Sequence, residues 1–119
     1  MQAWNVDTGR RVWTHAYEKS ANCGPMLATG GGVVFTGGTN DRKFHAFDAV
    51  SGKLLWEFPT SSGVLGQPSS FTVDGKQYVA VMSGWGVDSR GMQARLNAIS
   101  PRDFPEVLEG GSIWLFSVK

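Results

Sequence analysis

A chain of 119 residues with 41% hydrophobic content has the length and apolar share of one small folded domain, which excludes a disordered segment. Its 11 Lys and Arg against 10 Asp and Glu leave a net charge of +1, scattered singly, so neither nucleic acid nor an anionic membrane surface is an expected partner. No apolar run approaches the roughly 20 residues of a membrane span, the lone Cys23 rules out an internal disulfide, and Met-Gln-Ala-Trp-Asn lacks the basic and apolar regions of a signal peptide.

Sixteen Gly and five Trp favour tight turns and large flat side chains over helix, and point to an all-β fold. In chain order, a leading half unit covers residues 1–17. Alternation and turn punctuation then predict strands at Met26 to Thr29, Val33 to Thr36, Phe44 to Asp48 and Leu54 to Phe58, one four-stranded unit within 24–59. Gln67 to Val73, Lys76 to Met82 and Ile113 to Val118 supply three strands of a last unit, 67–119, with Asp74-Gly75 as a hairpin turn. Residues 83–112 are polar and rich in Gly and Pro, and read as a long loop, a class of segment that carries function or disorder.

Two stretches repeat. Ala3-Trp4-Asn5-Val6-Asp7-Thr8-Gly9-Arg10-Arg11-Val12-Trp13 matches Ala46-Phe47-Asp48-Ala49-Val50-Ser51-Gly52-Lys53-Leu54-Leu55-Trp56 in the pattern Ala-x-[Asn/Asp]-x-x-[Thr/Ser]-Gly-x-x-x-Trp. The copies start 43 residues apart, at Ala3 and Ala46, the period of one propeller blade. Gly9 and Gly52 sit where a turn needs positive φ. Trp13 and Trp56 are expected in the seams between blades, covering the small Ala position of the next blade. The architecture predicted is about two four-stranded blades plus a leading half of a β-propeller. The chain starts inside a repeat, so a fragment or a truncated frame is expected.

The tandem motif resembles the tryptophan-docking motif of quinoprotein alcohol dehydrogenases. Gly24-Pro25-Met26-Leu27-Ala28-Thr29-Gly30-Gly31-Gly32-Val33-Val34-Phe35, Gly37-Gly38-Thr39-Asn40-Asp41-Arg42-Lys43-Phe44 and Ser83-Gly84-Trp85-Gly86-Val87-Asp88-Ser89-Arg90-Gly91-Met92-Gln93 are similar to the methanol dehydrogenase large subunit, most of all its lanthanide-using branch. The resemblance implies the C-terminal part of a periplasmic, eight-bladed propeller that oxidises alcohols with pyrroloquinoline quinone (PQQ) and a lanthanide or calcium ion and passes electrons to a cytochrome c. It places the catalytic aspartate and the metal-binding carboxylates on blades that this chain does not include.

The cofactor is a flat tricyclic quinone with three carboxylates, so its site needs aromatic faces, close backbone and donors for the acid groups. By the resemblance, Gly84 and Trp85 contact it, and Cys23 with Gly24 lies at a second contact. The family usually has Trp at the Cys23 position, so a thiol there forgoes stacking worth about 0.5–1.5 kcal/mol beyond lost area. A thiolate beside an electrophilic quinone could also add to it, although a buried inert thiol is the plainer reading. Arg42 and Lys43 could meet an acid group of the cofactor, and Arg90 and Arg95 lie in the long loop; solvated charges are the simpler account of all four. His15 and His45 have no partners at metal spacing and are expected on strand surfaces. Asp88, Glu106 and Glu109 show no pairing that would make them acid or base catalysts.

Two classes of function follow. One is a portion of the alcohol-oxidising enzyme, inactive by itself; the other is a cofactor-free propeller that binds proteins, like the lipoproteins of outer-membrane assembly machinery. The long Gly-Trp loop favours the enzyme. An isolated piece leaves blade edges open, so the chain is expected to oligomerise or aggregate.

Overall fold

The computed structural model of the chain describes residues 1–17, 24–38, 41–84, 89–106 and 109–117. Nine strands and one helix lie among them: β1 (Gln2–Trp4), β2 (Arg11–Thr14), β3 (Met26–Ala28), β4 (Val33–Gly37), β5 (Lys43–Asp48), β6 (Leu54–Pro59), β7 (Ser69–Val73), β8 (Lys76–Gly84), α1 (Ser89–Ile99) and β9 (Gly111–Ser117). They form three sheets ordered β1-β2, β3-β4-β5-β6 and β7-β8-β9, and each strand pairs antiparallel with its sequence neighbour in the sheet. This meander is the all-β blade arrangement predicted above.

The repeated motif folds the same way twice. The Asn5 carboxamide oxygen accepts from the amides of Asp7 (3.1 Å) and Thr8 (2.8 Å) and from the Thr8 hydroxyl (2.9 Å). Asp48 does the same for Val50 (3.2 Å), Ser51 (2.7 Å) and the Ser51 hydroxyl (2.7 Å). Such bonds fix a turn and leave the following Gly9 and Gly52 at φ of +64° and +71°. The Ser51 hydroxyl and amide hold the Asp48 carboxyl below its ordinary value. Ala3 is then opposite Trp13 and Ala46 opposite Trp56, a small residue beside a large one in each pair.

The Trp13 indole lies over Gly52 of the second sheet, and its Nε1 donates to the Ala49 carbonyl at 3.1 Å. The bare Cα of Gly52 leaves room for the ring.

The core lies between the second and third sheets. Phe44, Val64, Val79 and Val81 are buried, with Leu27, Phe35, Trp114 and Phe116 packed on them. Burying each such side chain contributes about 1.5–3 kcal/mol. Aromatic rings bridge the seam: Phe58 meets Trp114 edge-on at 5.0 Å, and Trp56 meets Phe116 at 5.1 Å.

The stretch 83–112, predicted as irregular, contains α1. Its Gly and Pro content masks the local run Met92-Gln93-Ala94-Arg95-Leu96, which is strongly helix-forming. Leu96 is buried, with Met92, one turn earlier, and Leu65 and Phe104 packed against it. Among the described residues, no helix is long and apolar enough to cross a membrane.

Candidate functional site

The connection from β6 to β7 reads as an ordinary polar linker, Thr60-Ser61-Ser62-Gly63-Val64, yet Thr60, Ser62, Gly63 and Val64 are buried. Its polar groups therefore need partners. The Thr60 amide donates to the Arg42 carbonyl at 2.8 Å, and the Val64 amide to the Gly38 carbonyl at 3.1 Å. The Ser83 hydroxyl, 2% exposed, lies 2.8 Å from the Thr60 carbonyl and 2.9 Å from the Ser62 carbonyl and donates to the pair.

These bonds seat the end of β8. Gly84 forms a parallel bridge with Val64, its amide donates to the Gly63 carbonyl at 2.6 Å, and it faces Gly111 across the β8-β9 ladder. A Cβ on Gly84 would stand 3.0 Å from the Gly110 carbonyl oxygen; one on Gly24 would stand 2.8 Å from the carbonyl oxygens of both Gly37 and Val64. Gly24 and Gly84, distant in sequence, thus flank the same buried segment around Val64. Beside Gly84 opens a cavity of about 440 Å³ lined by Leu65, Gly66, Met82, Ser83, Gly110 and Gly111. Trp85 and Cys23, the aromatic and sulfur candidates, lie outside the described residues, as does Asp88.

The cations expected near the cofactor's acid groups are engaged elsewhere. Arg42 Nη2 donates to the Glu106 carbonyl at 3.2 Å, and Lys43 pairs with Glu57. Arg90 stands 3.5 Å from Glu109 at the surface, and Arg95 lies on α1. The plainer reading of Arg42 and Lys43 as turn charges fits these contacts: the strand pairing of β5 with β6 sets Lys43 beside Glu57, and the turn aims Arg42 at the run before β9.

His45 is not a strand-surface residue either. It is 4% exposed, with Nε2 2.7 Å from Asp41 Oδ2, because β5 is covered on that face by Tyr17 and Phe47. His15 packs edge-on against Tyr17 at 4.6 Å, and burial lowers its pKa from the ordinary 6.5. Burial raises the Tyr17 phenol above its ordinary 10.0. Among the described residues no three His, Cys, Asp or Glu side chains converge as a metal site.

A family profile described as glucose/ethanol/alcohol dehydrogenase, beta-propeller domain, matches residues 15–79. Quinoprotein alcohol dehydrogenase PedE of Pseudomonas putida is 38% identical over 99% of this chain, and the chain spans 18% of its length. The 1-butanol dehydrogenase (cytochrome c) of Thauera butanivorans is 37% identical over 98% of the chain and 15% of its own length. The crystal structure of quinohemoprotein alcohol dehydrogenase from Comamonas testosteroni superposes with a TM-score of 0.70 at 33% identity, covering 98% of this chain and 16% of that one. With the blade repeat, the sheet order and the profile in agreement, the chain belongs to the quinoprotein alcohol dehydrogenases, as a part of their β-propeller.

Proposed function

We propose that this chain is the C-terminal portion of a longer PQQ-dependent dehydrogenase that oxidises primary alcohols to aldehydes. It furnishes one wall of the cofactor pocket and is inactive alone. The observation that carries this reading is the convergence of Gly24 and Gly84 on the buried segment at Val64. A Cβ on Gly24 would collide with the carbonyl oxygens of Gly37 and Val64, and one on Gly84 would crowd that of Gly110, so close backbone packing requires glycine at both positions, each next in sequence to a candidate side chain, Cys23 or Trp85.

In this reading Trp85, next along the chain from Gly84, supplies the aromatic face for the quinone, and Cys23, beside Gly24, stands where the family usually has Trp. When bound, the quinone takes up the two electrons and two protons that leave the alcohol. The part of this chain is to hold: Gly84 and Gly24 set the distance of closest approach, and Ser83 locks the strand end behind Gly84. The lanthanide or calcium ion and the catalytic carboxylates belong to blades outside this chain. We assign the complete polypeptide to the periplasm, with a cytochrome c as electron acceptor; the name of the Thauera relative supports a cytochrome partner for that enzyme.

The test is reconstitution of the complete polypeptide that carries this chain. With PQQ and calcium or a lanthanide it reduces an artificial dye only when a primary alcohol is added. Failure to bind PQQ under both metals overturns the reading and leaves the cofactor-free, protein-binding propeller.

A further inference from the structure

We propose that Arg42 is a positioning residue for the cofactor wall, tying both strands of the Gly84 and Gly111 cleft to one turn of the neighbouring blade; this rests on the function proposed above. Arg42 occupies φ +54°, a left-handed conformation that glycine adopts freely and a residue with a Cβ resists. A turn with no other duty would be better served by glycine, so the side chain is the feature to be explained.

Both ends of the residue are in use. Its carbonyl accepts from the Thr60 amide at 2.8 Å and the Thr60 hydroxyl at 3.0 Å. The Thr60 carbonyl in turn accepts from Ser83, the residue before Gly84. Its guanidinium donates at 3.2 Å to the Glu106 carbonyl, in the run that leads from α1 into β9 and so to Gly111. Gly84 and Gly111 are cross-strand partners, neighbours in one ladder that line the same cavity, so the two routes from Arg42 lead to adjacent strands on one side of it. The backbone route holds the end of β8, and the side-chain route holds Glu106, five residues before Gly111 in the chain.

The experiment compares wild type, Arg42→Gly and Arg42→Lys in the complete polypeptide. It uses PQQ titration followed by quenching of tryptophan fluorescence, thermal unfolding, and amide exchange at Gly111. Arg42→Gly relieves the backbone strain and keeps the Thr60 bonds, so its unfolding midpoint stays at or above that of wild type. Its PQQ affinity falls about tenfold, the worth of about one hydrogen bond, and Gly111 exchanges faster. The KM for alcohol at saturating PQQ does not change. Arg42→Lys keeps a donor without the planar fork and falls between the two. Equal PQQ affinity in wild type and Arg42→Gly overturns the proposal. If wild type binds no PQQ, the proposed function fails instead, and unchanged exchange at Gly111 in Arg42→Gly would then overturn the clamp independently.

Discussion

The indole of Trp13 lies so close to Gly52 of the next sheet that a Cβ on Gly52 would stand 2.5 Å from Trp13 Cδ2, while Trp13 Nε1 donates to the Ala49 carbonyl at 3.1 Å. Two sheets are thereby joined by one flat ring laid on one bare backbone. Gly52→Ala combines a clash with a side chain at positive φ and is expected to cost about 2–4 kcal/mol. Trp13→Ala loses about 2–3 kcal/mol, less than a fully buried Trp. In the Trp13→Ala background, Gly52→Ala costs only the backbone term, about 1 kcal/mol. Urea unfolding of the double-mutant cycle measures this, and additive costs would exclude the contact.

Ser83→Ala removes the donor that links β8 to the Thr60 and Ser62 carbonyls, which keep the Ser61 and Thr60 hydroxyls. The expected loss is about 1 kcal/mol, that of one hydrogen bond. Amide exchange at Gly84 rises with it, because the strand end loses its lock. Wild-type stability and exchange in Ser83→Ala would show that Ser83 does not hold the strand end.

The seam beside His15 and Tyr17 sets a pH window. Burial lowers the folded pKa of His15 below 6.5, so the stability it contributes is full above that value and declines as pH falls through it. Burial raises Tyr17 above 10.0, so its contribution is full below that value and is lost as pH rises further. Stability measured against pH should fall less steeply below pH 6.5 in His15→Phe and above pH 10.0 in Tyr17→Phe. Among the described residues the buried Tyr17 hydroxyl has no hydrogen-bond partner, so Tyr17→Phe should be neutral or stabilising at pH 7.

The third sheet presents apolar residues to solvent: Ile113 is 77% exposed, Leu115 57% and Met82 55%. A groove of about 540 Å³ lined by Phe35, Trp56, Leu115 and Phe116 adjoins them. Patches of this kind associate. Light scattering of the purified chain should show oligomers or aggregates, and a monodisperse monomer that unfolds cooperatively would contradict this.

The same isolated chain, given PQQ with calcium or a lanthanide, should show no alcohol-dependent dye reduction, since it spans only 18% of the length of its Pseudomonas putida relative. Turnover above background would mean that the other blades are dispensable.

The sequence by itself determined the blade. Asn5 with Gly9 and Asp48 with Gly52 encode their turns locally, through side-chain oxygens and a glycine, and the 43-residue spacing from Ala3 to Ala46 announces the repeat. The strands were legible because alternation is a local signal. Contacts between segments were not. That Trp13 rests on Gly52, that His45 is buried against Asp41, and that Arg42 reaches Glu106 depend on how sheets face one another. Helix α1 escaped notice because its Leu96 is anchored by Leu65, a residue of another segment. Gly24 and Gly84 could each be singled out in the sequence, but only the folding of the Thr60-Val64 connection into the interior set them on either side of one segment. Burial forced that connection to find hydrogen-bond partners, and those partners shaped the site.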